Sequence, residues 1–220
     1  MNIQPLKRSD AADFEPVFKV TEQAIGFVPN SMLTMARDPE LMMGFGMLSM
    51  RAMDIRNSKG MIKNIRPMLK MMIAKARGKG SARVSPDLRA LVSMAVSYSA
   101  GCRYCQAHTA TTAGHNGVTD EKLADLLLYE SSPLFSDAER AALAFAFAAG
   151  EVPNAVTVEH FTKLRAFFSE EEIFDLVTVI SYFGFLNRWN DTIGTMLEPE
   201  PRGFAQQRLA ATWEVGKHAG

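Results

Sequence analysis

The chain reads as an all-α protein. Three observations carry that expectation. Helix-start signals recur: Ser136 and Ser169 each precede a glutamate by three residues, at Glu139 and Glu172, the spacing of a capping box. Prolines stand where a first helical turn accepts them, at Pro39 and Pro86. Glycines stand where helices stop, at Gly26, Gly114 and Gly117.

Taken in order, Ser9-Asp10 caps a first helix expected to reach about Ala24, with Gly26 and Pro29 closing it. A short helix over 31–37 follows, and Pro39 opens PELMMGFGMLSMRAM. Eleven of the fourteen methionines fall between 32 and 72. Methionine fills irregular gaps, so a plastic core or subunit contact is expected there rather than a pocket for a lipid-like substrate. Between Arg51 and Arg83 stand ten Lys or Arg and one acid, Asp54. A solvated arm or a subunit contact explains that charge; a patch for an anionic membrane surface or nucleic acid is the alternative. Ser85-Pro86-Asp87 starts the next helix, which reaches Ala100 and is apolar on most sides, hence buried. Thr119 caps 119–130, Thr157 caps a helix through Phe168, and Ser169 starts a long one. Its polar cluster Asn187, Arg188, Trp189, Asn190 and Asp191 reads either as a helix end with an Arg188–Asp191 ion pair or as a lining of the cysteine cavity or of a subunit contact. The last segment, 198–220, is expected to pack as a short helix on a neighbouring copy or to fray. SPDLRALVSMA and SDAERAALAFA resemble each other, but only the first leads to cysteines, so one site per chain is expected.

The chemistry concentrates in GCRYCQAHT. Cys102 and Cys105 are the only cysteines, and His108 follows at the same interval. On a helix, Cys102 and His108 lie about 60° to either side of Cys105, so all three share a stripe. Gly101 suits a fresh helix start, which puts Cys102 against unpaired N–H groups and the positive end of the helix dipole. That environment lowers a thiol pKa from about 8.5 toward neutrality. A redox dithiol, a metal site with His108 and His115, and two merely buried cysteines are the three readings open from spacing. The metal set is hard to converge, because a helix from 102 to 115 spreads it over about 20 Å. No metal and no cofactor is assigned.

GCRYCQAHT after LRALVSMAVSYSA, with GFVPNSMLTMARDPELM and FLNRWNDTIGTMLEPEP, resembles the AhpD-like carboxymuconolactone decarboxylase family, and the likeness runs over most of the chain. It implies a helical bundle, a homo-oligomer, and peroxide reduction in antioxidant defence. It also implies that Cys105 attacks the hydroperoxide, Cys102 resolves it as a disulfide, and His108 carries the family histidine. The partners so implied are a hydroperoxide substrate and a dithiol reductant protein. Two positions depart from the family pattern. Thr109 stands where the histidine often lies, and Ala90 stands where a relay glutamate does, with Asp87 and Tyr98 the nearest substitutes. A lyase of the decarboxylase type and a non-catalytic redox sensor are the alternatives.

The chain of 220 residues is read as a single domain, with N-terminal helices and a basic arm over 1–84, a core over 85–197 and a tail over 198–220. Its net charge is zero, so no nucleic acid is expected. The N-terminus lacks a basic region followed by an apolar stretch, and no apolar run is long enough to span a membrane. With two cysteines in a long chain, a reducing cytoplasm is the expected setting.

Overall fold

The computed structural model describes residues 3–52, 83–209 and 213–219; the basic stretch falls almost wholly outside them. Every regular element among the described residues is helical. Contacts divide the chain into two units, Met1–Ser81 and Ala82–Gly220.

The first unit opens with a 3-10 segment, Arg8–Phe14, followed by α1 (Glu15–Ile25), α2 (Asn30–Met35) and α3 (Pro39–Ala52). The single helix expected from Ser9 is therefore broken. Pro16 sits in the first turn of α1 and has no N–H to donate, and Ala11 leaves helical geometry just before it (φ −118°). The break turns Phe14 and Phe18 inward together, onto Met32, Ala36 and Met42. Met32 and Met42 are thus core residues, whereas Met47 is exposed. Arg8 braces this unit with paired hydrogen bonds to Glu15 (2.9 and 3.0 Å) and Glu22 (3.0 and 3.1 Å).

The second unit is built around α4 (Pro86–Ser99), which packs on α5 (Arg103–His115), α7 (Asp137–Gly150) and α9 (Glu170–Ile193). Residues from Leu88 to Ser97 are buried almost without interruption. Ser93 and Ser97 survive there because each hydroxyl donates to a carbonyl one turn back, at 2.6 and 2.8 Å. The start of α4 is locked to α9 by Asp175. This buried carboxylate accepts from both Arg89 nitrogens (2.7 and 3.1 Å) and from the Val84 N–H (3.1 Å).

Between α5 and α7 the chain forms α6 (Asp120–Ala124) and a 3-10 turn, Leu126–Leu128; α8 (Val158–Arg165) precedes α9. Ser136–Glu139 and Ser169–Glu172 form the expected capping boxes. A third box is closed by His160, whose Nδ1 accepts the Thr157 N–H at 3.1 Å. The described residues of the tail are ordered into helical turns. They form α10 (Pro199–Arg208) on α5 of the same chain, and a 3-10 turn, Gly216–His218, also meets α5. Gly114 permits this approach: a Cβ there would lie 2.6 Å from the Phe204 ring of α10.

Along α9 the outer face stays apolar. Tyr182, Phe185, Trp189 and Ile193 are all exposed and follow helical spacing. Among the described residues no helix is long and apolar enough to cross a membrane.

Candidate active site

Gly101, at φ +74°, makes the turn between α4 and α5 that few other residues adopt without strain. The turn sets Cys102 as the N-cap of α5, and its sulfur accepts the Cys105 N–H at 3.4 Å. Both cysteines are free thiols. Cys102 is fully buried, and Cys105 is 3% exposed.

The two sulfurs share one proton unequally. The Cys105 S–H donates to the Cys102 sulfur, which, with the Cys105 and Tyr104 backbone N–H groups, holds the Cys102 thiol below its ordinary pKa despite burial and the Asp191 charge. The Cys105 thiol is pushed up, first by that same bond and then by burial. The first negative charge on the pair therefore rests on Cys102. A thiolate is populated above its pKa, so lowering that pKa widens its range toward neutral pH. Thiolate ultraviolet absorbance of the reduced protein is expected to appear with a midpoint below the free-cysteine value of about 8.5. Cys105→Ala, which removes the main donor, is expected to move that midpoint up; an unchanged midpoint would refute the shared proton.

Cys105 opens onto a cavity of about 420 Å³, a size that suits a small organic ligand. Tyr104, Tyr182, Phe183, Leu186 and Trp189 give it apolar walls. Asn190 also lines it, and its Nδ2 lies 3.7 Å from the Cys105 sulfur while its Oδ1 accepts from Thr195. Of the polar cluster at the end of α9, Trp189 and Asn190 wall the site, whereas Asn187, Arg188 and Asp191 line a separate cavity. The alternative ion pair between Arg188 and Asp191 is replaced by one from Lys217 to Asp191 at 2.7 Å.

His108 lines the same cavity, one turn beyond Cys105. Its Nε2 meets the Glu198 carboxylate at 2.8 Å, and Tyr104 donates to the other carboxylate oxygen at 3.1 Å. Burial works against the Glu198 charge, but its own backbone N–H, His108 and Tyr104 outweigh it and keep the carboxyl below its usual pKa. A carboxylate only accepts, so the proton between them is carried on Nε2 and points at Glu198.

Glu198 is the carboxylate that sequence reasoning missed. Neither expected substitute for Ala90 lines the Cys105 cavity. Tyr98 faces a separate cavity with Arg103 and Trp213, and burial pushes its hydroxyl up to about 12. Asp87 is held by Ser85 at the start of α4. Ala90 does line the Cys105 cavity, where it leaves space instead of a charge. Thr109, at the alternative histidine position, is buried and turns its hydroxyl onto the Cys105 carbonyl at 2.7 Å. His115 ends α5, exposed and a full helix length from the thiols.

The tail supplies two more residues. Trp213 donates to the Gln106 side-chain oxygen at 3.0 Å, over the residue next to Cys105. His218 is 1% exposed, close to Cys102 and Asp191. Proximity in sequence gave no signal for either, as both arrive from far along the chain.

A profile of the Carboxymuconolactone decarboxylase family matches residues 68–148. Uncharacterized protein YnjA of Escherichia coli (strain K12) is 30% identical over 110 residues; the match covers 50% of this chain and only 60% of that protein. The apo structure of the debrominase Bmp8 is 34% identical, with 93% of this chain and 96% of that one covered and a TM-score of 0.56. Its Cys-to-Ala variant in complex with 2,3,4-tribromopyrrole gives 33% identity and the same TM-score, 0.56. An uncharacterized peroxidase-related protein from Silicibacter sp. TM1040 shares the fold at 18% identity, with 92% of each chain covered and a TM-score of 0.50.

Proposed function

Because this chain belongs to the AhpD-like carboxymuconolactone decarboxylase family, we propose that it is a dithiol reductase that takes small organic hydroperoxides into the cavity beside Cys105. The observation that carries this is the placement of the sulfurs: Cys105 lines the cavity, and Cys102, the thiol held lower, lies fully buried behind it. As a hydroperoxide approaches, the Cys102 thiolate takes the Cys105 proton, and Cys105 attacks the terminal oxygen. The O–O bond breaks. Cys105 becomes a sulfenic acid, and the leaving alkoxide departs as the alcohol once a proton reaches it through His108 or a linked water. Cys102 then displaces water from the sulfenic acid. Two thiols and one hydroperoxide thus give a disulfide, an alcohol and water. A dithiol protein reopens the disulfide by exchange.

Reductive debromination is the second function, and a specific observation favours it. The similarity to Bmp8 runs nearly end to end, and the cavity walls are aromatic. In that reaction bromine passes from carbon to the Cys105 sulfur, the carbon takes a proton, and Cys102 displaces bromide to leave the same disulfide.

One experiment tests the shared step and separates the substrates. Reduced protein is mixed with one equivalent of cumene hydroperoxide or of 2,3,4-tribromopyrrole, then alkylated and weighed intact. Loss of both thiols, with a mass lower by two hydrogens, is expected with the hydroperoxide. Bromide release with the pyrrole alone would select debromination. Two free thiols after both treatments would overturn the dithiol chemistry.

We also propose that a second copy of this chain covers the apolar row on α9. A self-complementary helix face fits a two-fold pair, and an uncovered row of large apolar residues is unusual on a monomer. Light scattering is expected to give a multiple of the chain mass, reduced by Trp189→Glu; a monomeric wild type would refute it.

A further inference from the structure

Behind the thiol pair lies a second cluster that shares Cys102 with it and adds two side chains the reduction chemistry does not use. Among the described residues, Cys102, Asp191 and His218 are the one group of three such side chains whose ligand atoms all fall within 4.8 Å of one another. They come from the N-cap of α5, the end of α9 and the turn at Gly216–His218.

His218 gives the cluster its meaning. Its Nδ1 lies 2.7 Å from the Thr195 carbonyl, which only accepts, so Nδ1 carries the proton. With the proton on Nδ1, Nε2 is the ring nitrogen that faces the cluster and can offer it a lone pair. That nitrogen is buried and has no hydrogen-bond partner. The nearest group is Asp191 Oδ1, at 3.5 Å. A lone pair facing a carboxylate repels it, and an orphaned buried nitrogen is costly. Lys217 holds the other Asp191 oxygen and so fixes the first toward the cluster. A thiol, a carboxylate and an imidazole lone pair converge, each a donor of electrons.

We propose that Cys102, Asp191 and His218 form a binding site for a zinc ion. Sulfur, nitrogen and oxygen donors suit borderline-soft Zn²⁺. A histidine that donates Nδ1–H to a backbone carbonyl while presenting Nε2 has the orientation zinc ligands adopt. The ion takes the Cys102 sulfur as a thiolate and satisfies the orphaned nitrogen. Three protein ligands leave a fourth position for water. The ion and the Cys102–Cys105 disulfide compete for one sulfur, so only the reduced protein holds the metal. The site stands whether or not the dithiol reduces a substrate.

The test uses the full-length reduced protein with Zn²⁺ titrated against a chromophoric chelator, and Co²⁺ as a spectroscopic probe. Cys105→Ser is the reference, because it removes the dithiol and keeps the proposed ligands. It is expected to bind one zinc and to give a thiolate-to-cobalt charge-transfer band. Cys102→Ser is expected to lose the band. His218→Ala and Asp191→Asn are each expected to weaken binding at least about tenfold. Asp191→Asn guards against loss of the tail contact in the histidine variant, and circular dichroism checks that each variant is folded. Oxidising the wild type to the disulfide is expected to release the ion. Absence of binding by Cys105→Ser, or equal binding by Cys102→Ser, would overturn the site. Binding untouched by both the His218 and Asp191 substitutions would do the same.

Discussion

Cys105→Ser is expected to lower hydroperoxide turnover by about a thousandfold or more, while Cys102→Ser still consumes one equivalent of oxidant and then stops. The asymmetry follows from where each sulfur lies. Cys105 lines the cavity, so without it no sulfur lines the place where substrate binds. Loss of a nucleophile costs about as much as loss of the whole catalytic group in enzymes whose residues act as a unit. Cys102 is fully buried behind it, and in the proposed mechanism it is the proton acceptor and resolving thiol. Without Cys102 the sulfenic acid on Cys105 has no partner and persists. Intact mass should find one added oxygen in Cys102→Ser and none in Cys105→Ser. The reverse pattern would assign the attack to Cys102. Equal turnover in both variants and the wild type would remove the cysteines from the mechanism.

Asp175→Ala should produce the largest loss of stability among single changes outside the cysteines, about 3 kcal/mol, with a Tm fall of about 10 °C. Asp175 is 4% exposed and answers four donors at once, two on Arg89, one on Arg83 and the Val84 N–H. Removing it takes the carboxylate from the Arg89 guanidinium and leaves a buried backbone N–H without its acceptor, which is the expensive way to break an ion pair. Arg89 is partly open to solvent, which keeps the cost at the lower end of the range for buried pairs. Thermal unfolding followed by circular dichroism measures it. A shift under about 2 °C would mean that water replaces the carboxylate with little loss. Because Asp175 ties α9 to the start of α4, the variant should also loosen the wall that carries Asn190 next to Cys105.

The residues that sequence alone identified share a property: their signals are local. Cys102 as a helix cap, the boxes at Ser136 and Ser169, and the buried α4 each depend on neighbours within a turn or two. The first helix was misread because Pro16 was passed over, although proline lies within the expected span and explains the break. His160 had no visible role because a histidine closing a capping box departs from the usual glutamate or glutamine. Glu198, Trp213 and His218 were not legible at all. Each reaches the dithiol helix by long-range packing, with His108 and Glu198 separated by 90 positions and Gln106 and Trp213 by 107. Helix periodicity and cap motifs carry no information at that range. The family resemblance pointed to a missing carboxylate near Ala90, and the fold supplies one to His108 from the opposite end of the unit.

That separation has a meaning for the chain as it is made. Synthesis runs from the N-terminus, so a growing chain carries both thiols about ninety residues before it carries Glu198, and longer still before Trp213 and His218. An unfinished copy therefore holds a dithiol with no carboxylate behind its histidine and no indole over its flank. Only a chain extended past these residues carries the carboxylate and the indole that flank the dithiol helix.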